Sequence, residues 1–235
     1  MSALIPTIAA ERVHWYTMAG QPCHQVQCKG DPSKFRNVTL ADARKQALVP
    51  SVTNVLNIMA RPGLENWKQE QMVLAALTLP RLPGEMDDAF AVRVVEDARA
   101  HSEAAATWGS EMHAAVAAYH LGQPVNIPIG GEDSMRAYCE WAEEYLIHAD
   151  SERPFAHPSL GYGGTLDLAG TVEDYPAVLD IKTMKTEPGK ETKGYETWGL
   201  QLAAYAYGIE RPDAKLLNVV ISSNEPGRLE IVEWT

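Results

Sequence analysis

Residues 177–186 read AVLDIKTMKT, an apolar run of strand character broken by an acid and a base, Asp180 and Lys182, two positions apart. Side chains in a strand alternate between faces, so Asp180 and Lys182 point one way while Leu179 and Ile181 point the other. A second acid, Asp167, stands in the preceding run YGGTLDLAGTV at 162–172, and EDYP at 173–176 supplies the turn between them. The resulting hairpin can bring Asp167 beside Asp180. Two carboxylates buried together repel, and the arrangement is costly unless a cation lies between them. Oxygen ligands of that hardness suit Mg²⁺ or Mn²⁺. A neighbouring lysine can then orient an activated water and stabilise the negative charge that builds on a phosphate in the transition state. The acid-x-lysine pattern alone is loose, for it recurs at Glu191 with Lys193 and at Asp213 with Lys215. The bland alternative makes Asp180 and Lys182 a partly exposed ion pair on an edge strand, with Asp167 a turn residue.

Around this stretch the chain reads as helices first and strands afterwards. ERVHWYTMA and HQVQCKG flank the turn-like AGQP and suggest a hairpin within the first thirty residues. Thr39 before LADARKQAL and Ser51 before VTNVLNIMA are helix N-cap candidates, and LENWKQEQMVLAAL follows the breaker RPG. The proline-rich joint LPRLPGEMDD precedes two expected helices, AFAVRVVEDARAH and EAAATWGSEMHAAVAAYHLG. A further helix spans DSMRAYCEWAEEYLIH. From residue 153 the pattern turns to strands at FAHPSL, 162–172 and 177–183, then a helix at YETWGLQLAAYAYGI, then a strand pair KLLNVVISS and RLEIVEWT around NEPG. The fold class is therefore α/β, with a central, mostly antiparallel mixed sheet flanked by helices and an N-terminal helical lobe overhanging the cleft. The 235 residues suit a single domain, with 1–100 the hairpin and helical lobe and 101–235 the core.

No apolar stretch approaches the roughly 18 residues of a membrane span, and no signal-like segment opens the chain, so a soluble cytoplasmic protein without a membrane partner is expected. Cys23, Cys28 and Cys139 are odd in number and lack metal-knuckle spacing, which points to free thiols. The net charge of −11 argues on its face against a polyanionic partner. The charge is uneven, however: residues 1–60 hold six basic and three acidic groups, and 101–160 hold two basic and nine acidic groups. In the acidic helix Met135, Tyr138, Ala142, Tyr145 and Leu146 follow helical spacing and leave Glu140, Glu143 and Glu144 outside, as in a solvated face. Nucleic acid is not excluded elsewhere.

GGTLD, LDIKT and QLAAY, in this order and spacing, resemble the PD-(D/E)XK nuclease superfamily with its restriction-endonuclease-like core, and in particular its RecB-type exonucleases. WGSEMH resembles the glycine-x-x-x-histidine helix of those enzymes, and PSVTNVL followed by LENW is similar to the opening of mitochondrial genome maintenance exonucleases and their phage and bacterial relatives. The likeness extends over residues 50–210. It implies that Asp167, Asp180 and His113 are metal ligands with the Ile181 carbonyl, that Lys182 is the catalytic lysine beside Asp167 and Asp180, and that Gln201 and Tyr205 contact the nucleic-acid strand and support the site. The implied cofactor is Mg²⁺ or Mn²⁺. Four cysteines that hold an iron–sulfur cluster in some relatives are lacking, so no such cluster is expected. GT precedes the first acid where the superfamily name has a proline. The implied activity is hydrolysis of phosphodiester bonds from a DNA end in recombination, repair or phage DNA processing. The partners are DNA with a free end and a single-strand annealing or recombination protein. An endonuclease of the same superfamily and a non-cutting DNA-end binder are the rival readings.

Several of these residues have ordinary explanations too. A histidine on a helix is more often packed than a ligand, and His120 is read as a helix-end histidine; Glu111 is read as a solvated glutamate. Tyr205 and Trp198 could be core aromatics, whereas Gln201 needs hydrogen-bond partners if buried. Thr183 and Lys185 adjoin the catalytic strand and are candidate nucleic-acid contacts, with Lys190 and Lys193 weaker ones. Ser51, Thr53 and Trp67 either cap and pack helices or line a strand-threading passage. Lys29, Lys34, Arg36, Arg44 and Lys45 form another candidate phosphate-facing group.

Overall fold

A computed structural model describes residues 14–59 and 62–235. Glu11, Arg12 and Val13, within the expected hairpin, lie outside the described residues. The chain divides into two compact units, one of residues 1–58 and 112–235 and one of 59–111.

The larger unit is built on a five-stranded sheet with strand order β5-β6-β7-β8-β9. Its strands are β5 (Leu146–His157), β6 (Tyr162–Val172), β7 (Tyr175–Met184), β8 (Lys215–Ser222) and β9 (Leu229–Trp234). Only β7 and β8 run parallel, because the helix α6 (Glu196–Gly208) carries the chain across between them; the other neighbours are antiparallel. The β6–β7 connection is a two-residue turn in which Glu173 and Asp174 both take left-handed φ values of 50° and 67°. That is the mirror-image turn whose twist matches a hairpin. Leu202, Tyr205 and Ala206 of α6 pack on Ala169 and Val178, while α5 (Glu132–Tyr145) packs against β5, β8 and β9. On α5, Met135, Tyr138 and Ala142 are buried and Glu140, Glu143 and Glu144 exposed, as their spacing predicts.

Three details differ from the sequence reading. The strand β1 (Trp15–Tyr16) pairs with β4 (Val49–Pro50), and the regular early hairpin is instead β2 (Gln25–Cys28) with β3 (Asp31–Asn37). AGQP does turn the chain, with Cys23 N–H donating to Trp15 O at 2.8 Å, but the buried Trp15 and Tyr16 are drawn to the strand that carries Val49. The two helices expected at 89–101 and 103–122 are one continuous α4 (Asp87–His120), because Ser102 donates back to Ala98 O at 2.9 Å and so caps nothing. Last, β5 begins at Leu146, so α5 stops one residue earlier and Tyr145 is exposed; Pro158, Ser159 and Leu160, read as strand, form the turn into β6.

Thr39 and Ser51 cap their helices as expected. Thr39 begins α1 (Leu40–Gln46) with a reciprocal pair in which its hydroxyl accepts from Asp42 N–H and Asp42 accepts from Thr39 N–H; Ser51 accepts from Asn54 N–H ahead of α2 (Val52–Leu56). The smaller unit comprises α3 (Pro62–Thr78) and the first part of α4, which meet through Ala75, Val94 and Ala98. No helix among the described residues is long and apolar enough to cross a membrane.

Candidate active site

The β6–β7 ladder ends at Leu168 with Leu179, so Asp167 and Asp180 are the next residues beyond it and share a face. There the Ile181 N–H donates to Asp167 Oδ2 at 2.8 Å. From α4, His113 brings Nδ1 to 3.3 Å from the same oxygen. Lys182, one alternation along from Asp180, lies 2.6 Å from Asp180 Oδ2 and donates to Gln201 Oε1 at 3.1 Å. Gln201 in turn donates from Nε2 to the Tyr205 hydroxyl at 2.8 Å, since positions i and i+4 share a helix face. The amide is thus satisfied at both ends. Four elements, α4, β6, β7 and α6, converge here.

The electrostatics are tight because Asp180 is only 3% exposed. Burial and then the charge of Asp167 push the Asp180 carboxyl above its ordinary range, although Lys182 pulls the other way. Asp167 has burial against it too, but His113, Lys182 and the Ile181 N–H together hold it below that range. Burial would lower the His113 imidazole, yet Asp167 and Asp180 bring it out above its usual value. The two carboxylates are thus held close together only because Lys182 and His113 face them. As the side chains stand, no three of His, Cys, Asp and Glu among the described residues converge to hold an ion. Asp180 Oδ2 is turned onto Lys182 and the Asn218 amide. The donor types, two carboxylates with an imidazole at their side, are ones that would suit Mg²⁺ or Mn²⁺.

The surroundings include residues that the sequence reading passed over. Asn218, fully buried on β8 beside Asp180, donates to Asp180 Oδ2 at 2.8 Å and accepts from Trp234 Nε1 at 2.8 Å. An amide inside the apolar run LLNVVIS was a signal of the same kind as Asp180, but the parallel register that joins them is not visible in sequence. Glu152, exposed on β5 with a left-handed φ of 53°, has its carboxyl raised by partial desolvation and then by the charge of Asp167. Its stretch ADSERPF has no strand periodicity to mark it. Tyr16 hydrogen-bonds Thr165 at 3.0 Å, and a Cβ on Gly163 would come within 2.8 Å of Tyr16 Cβ, which explains the first glycine of GGTLD.

Other candidates fall away from this cluster. Alternation puts Thr183 on the opposite face of β7 from Lys182. Lys185 is exposed just beyond the strand. Ser51 is buried as a cap and bridges to Gly163, Thr53 is exposed on α2, and Trp67 lies on α3 in the smaller unit. Lys34 and Arg36 pair with Asp31 and Asp42.

No family model matches the chain, and no curated protein matches it. Among solved structures, one titled "Crystal structure of SSO0001" aligns over 72% of this chain and 76% of that chain, with 14% identity and a TM-score of 0.30. A likeness that low carries no argument about fold or function.

Proposed function

We propose that the chain is a divalent-metal-dependent deoxyribonuclease, an exonuclease that hydrolyses phosphodiester bonds from a DNA end in recombination, repair or phage DNA processing. The observation that carries this reading is the meeting of His113, Asp167, Asp180 and Lys182 on one face, with Gln201 and Tyr205 holding the lysine. Mg²⁺ or Mn²⁺ held by His113, Asp167, Asp180 and the Ile181 carbonyl supplies Lewis-acid charge stabilisation and lowers the pKa of the attacking water. Lys182 would present its ammonium to the phosphoryl oxygens, where negative charge grows in the transition state. Gln201 fixes where that ammonium stands, and Tyr205 fixes Gln201. Water oxygen bonds to phosphorus while the bond to the departing sugar oxygen breaks.

The test is incubation of end-labelled linear single- and double-stranded DNA and of covalently closed circles with Mg²⁺ or Mn²⁺, with chelator controls. Metal-dependent release of nucleotides from linear DNA, with circles spared, is expected. Cutting of circles makes the protein an endonuclease, and binding of ends without any cutting makes it a non-cutting end binder.

A further inference from the structure

Tyr195 and Trp198 stand at the start of α6, beside the site and outside the roles so far described. Tyr195 is the residue that opens the helix, yet its side chain makes no capping bond, and 46% of it is exposed. Its ring meets that of Trp198 at 5.2 Å between centroids and 83° between planes. The two rings form a right-angled corner. Trp198 is only partly buried, and Lys182 Nζ lies 5.8 Å from its ring centroid. The same ammonium is 2.6 Å from Asp180. The corner is therefore about one nucleotide's reach from the place where the phosphate would be cut.

A flat heterocycle placed in such a corner lies face-on to one ring and edge-on to the other, the two arrangements aromatic quadrupoles favour. Every base has a π-face, so stacking of this kind tolerates any sequence. From this we propose, resting on the nuclease reading above, that Tyr195 and Trp198 are a stacking platform for the base next to the scissile phosphate.

The experiment measures kcat/KM on end-labelled oligonucleotides for the unaltered protein, Tyr195→Ala and Tyr195→Phe. The substrates are an ordinary single strand, the same strand with an abasic tetrahydrofuran unit at each position flanking the cut, and a blunt duplex. The unaltered protein is expected to lose roughly five- to hundredfold on the single strand when one particular base is removed. Tyr195→Ala should show that loss on the ordinary strand and no further loss on the abasic one, while Tyr195→Phe, which keeps the ring, should cut as the unaltered protein does. Additive losses, or indifference to base removal at every position, overturn the platform while leaving the nuclease reading in place. Failure to cut any of the substrates removes the nuclease reading and the platform with it.

Discussion

Asp180 and Lys182 show how a single strand position can be costly to fold and still be kept. A carboxylate 3% exposed is stabilised by the lysine at 2.6 Å and the Asn218 amide at 2.8 Å, yet Asp167 beside it keeps its carboxyl pushed upward. Asp180→Asn keeps the shape and removes the charge, so the protein should stay folded, bind divalent metal more weakly and lose cleavage by about a hundredfold or more, the scale of losing one charge-stabilising group. Lys182→Ala should lose cleavage to a similar extent while largely sparing metal binding. Cleavage assays beside metal titrations check both, and undiminished cutting by either variant removes that residue from the chemistry. A second residue-scale expectation concerns His120, which ends α4 with Nε2 2.6 Å from the Tyr138 hydroxyl. Burial lowers the His120 imidazole, and burial also holds the Tyr138 phenol neutral, so the phenol donates and the neutral imidazole accepts. The unfolded chain takes up its proton near about pH 6.5, before the folded one does, so this contribution is intact above that value and declines as pH falls towards the lower folded value. Melting temperatures at pH 7.5 and 5.5 should therefore fall further for the unaltered protein than for His120→Gln; an equal fall in both contradicts the assignment.

At the scale of elements, α6 leans on β9 through Trp234 as well as on the strands it crosses between. A Cβ on Gly199 would lie 2.7 Å from Trp234 Cε3, and the same indole donates to Asn218, which holds Asp180. Gly199→Ala gains about 1 kcal/mol of helix propensity but forces about 1–3 kcal/mol of overpacking against a ring that has little room to move. The expected net effect is destabilisation of up to about 2 kcal/mol, read from the urea midpoint, with loss of activity larger than the stability change explains, because Gln201 and Tyr205 move with the helix. A stabilised and fully active Gly199→Ala would show that α6 adjusts freely. This dependence marks the limit of what the sequence made legible. The AVLDIKT strand, its hairpin with Asp167, the caps at Thr39 and Ser51 and the Gln201–Tyr205 spacing were all visible, because each is a local pattern. Asn218 and Trp234 were not, because their link to Asp180 rests on a parallel pairing between residues 38 positions apart. Glu152 was hidden for the opposite reason: an irregular backbone at φ 53° breaks the alternation by which a strand residue is recognised. The one long α4 was read as two helices, AFAVRVVEDARAH and EAAATWGSEMHAAVAAYHLG, on either side of Ser102, whose hydroxyl bonds back to Ala98 within the helix.

At the scale of the whole molecule, the proposed function would have a chain of net charge −11 engage a polyanion through few cations. Among the described residues, Lys34, Arg36, Lys190, Lys215 and Arg228 are tied to carboxylates of the chain itself. Lys29, Arg44, Lys45, Lys185, Lys193 and Arg211 carry no such pair among the described residues, and Lys185 and Lys193 lie on the segment that joins β7 to α6, the two elements that supply Asp180, Lys182 and Gln201. A single strand loses affinity with a slope of about −0.7 in log K against log salt for each phosphate neutralised. Contact through Lys185, Lys193 and one or two others predicts a slope of about −2 to −3, or roughly twenty- to fiftyfold weaker binding between 50 and 200 mM salt. Base identity should matter little, since stacking and phosphate contacts are indifferent to sequence. Fluorescence anisotropy of labelled single strands across that salt range measures the slope directly. Lys185→Ala should make it shallower by about 0.7 and weaken all sequences alike. A slope steeper than about −5 would mean that the strand runs over many more cations than these, and a strong sequence preference surviving at high salt would mean that base edges are read. Either outcome is incompatible with a weakly charged, stacking-led grip on a DNA end.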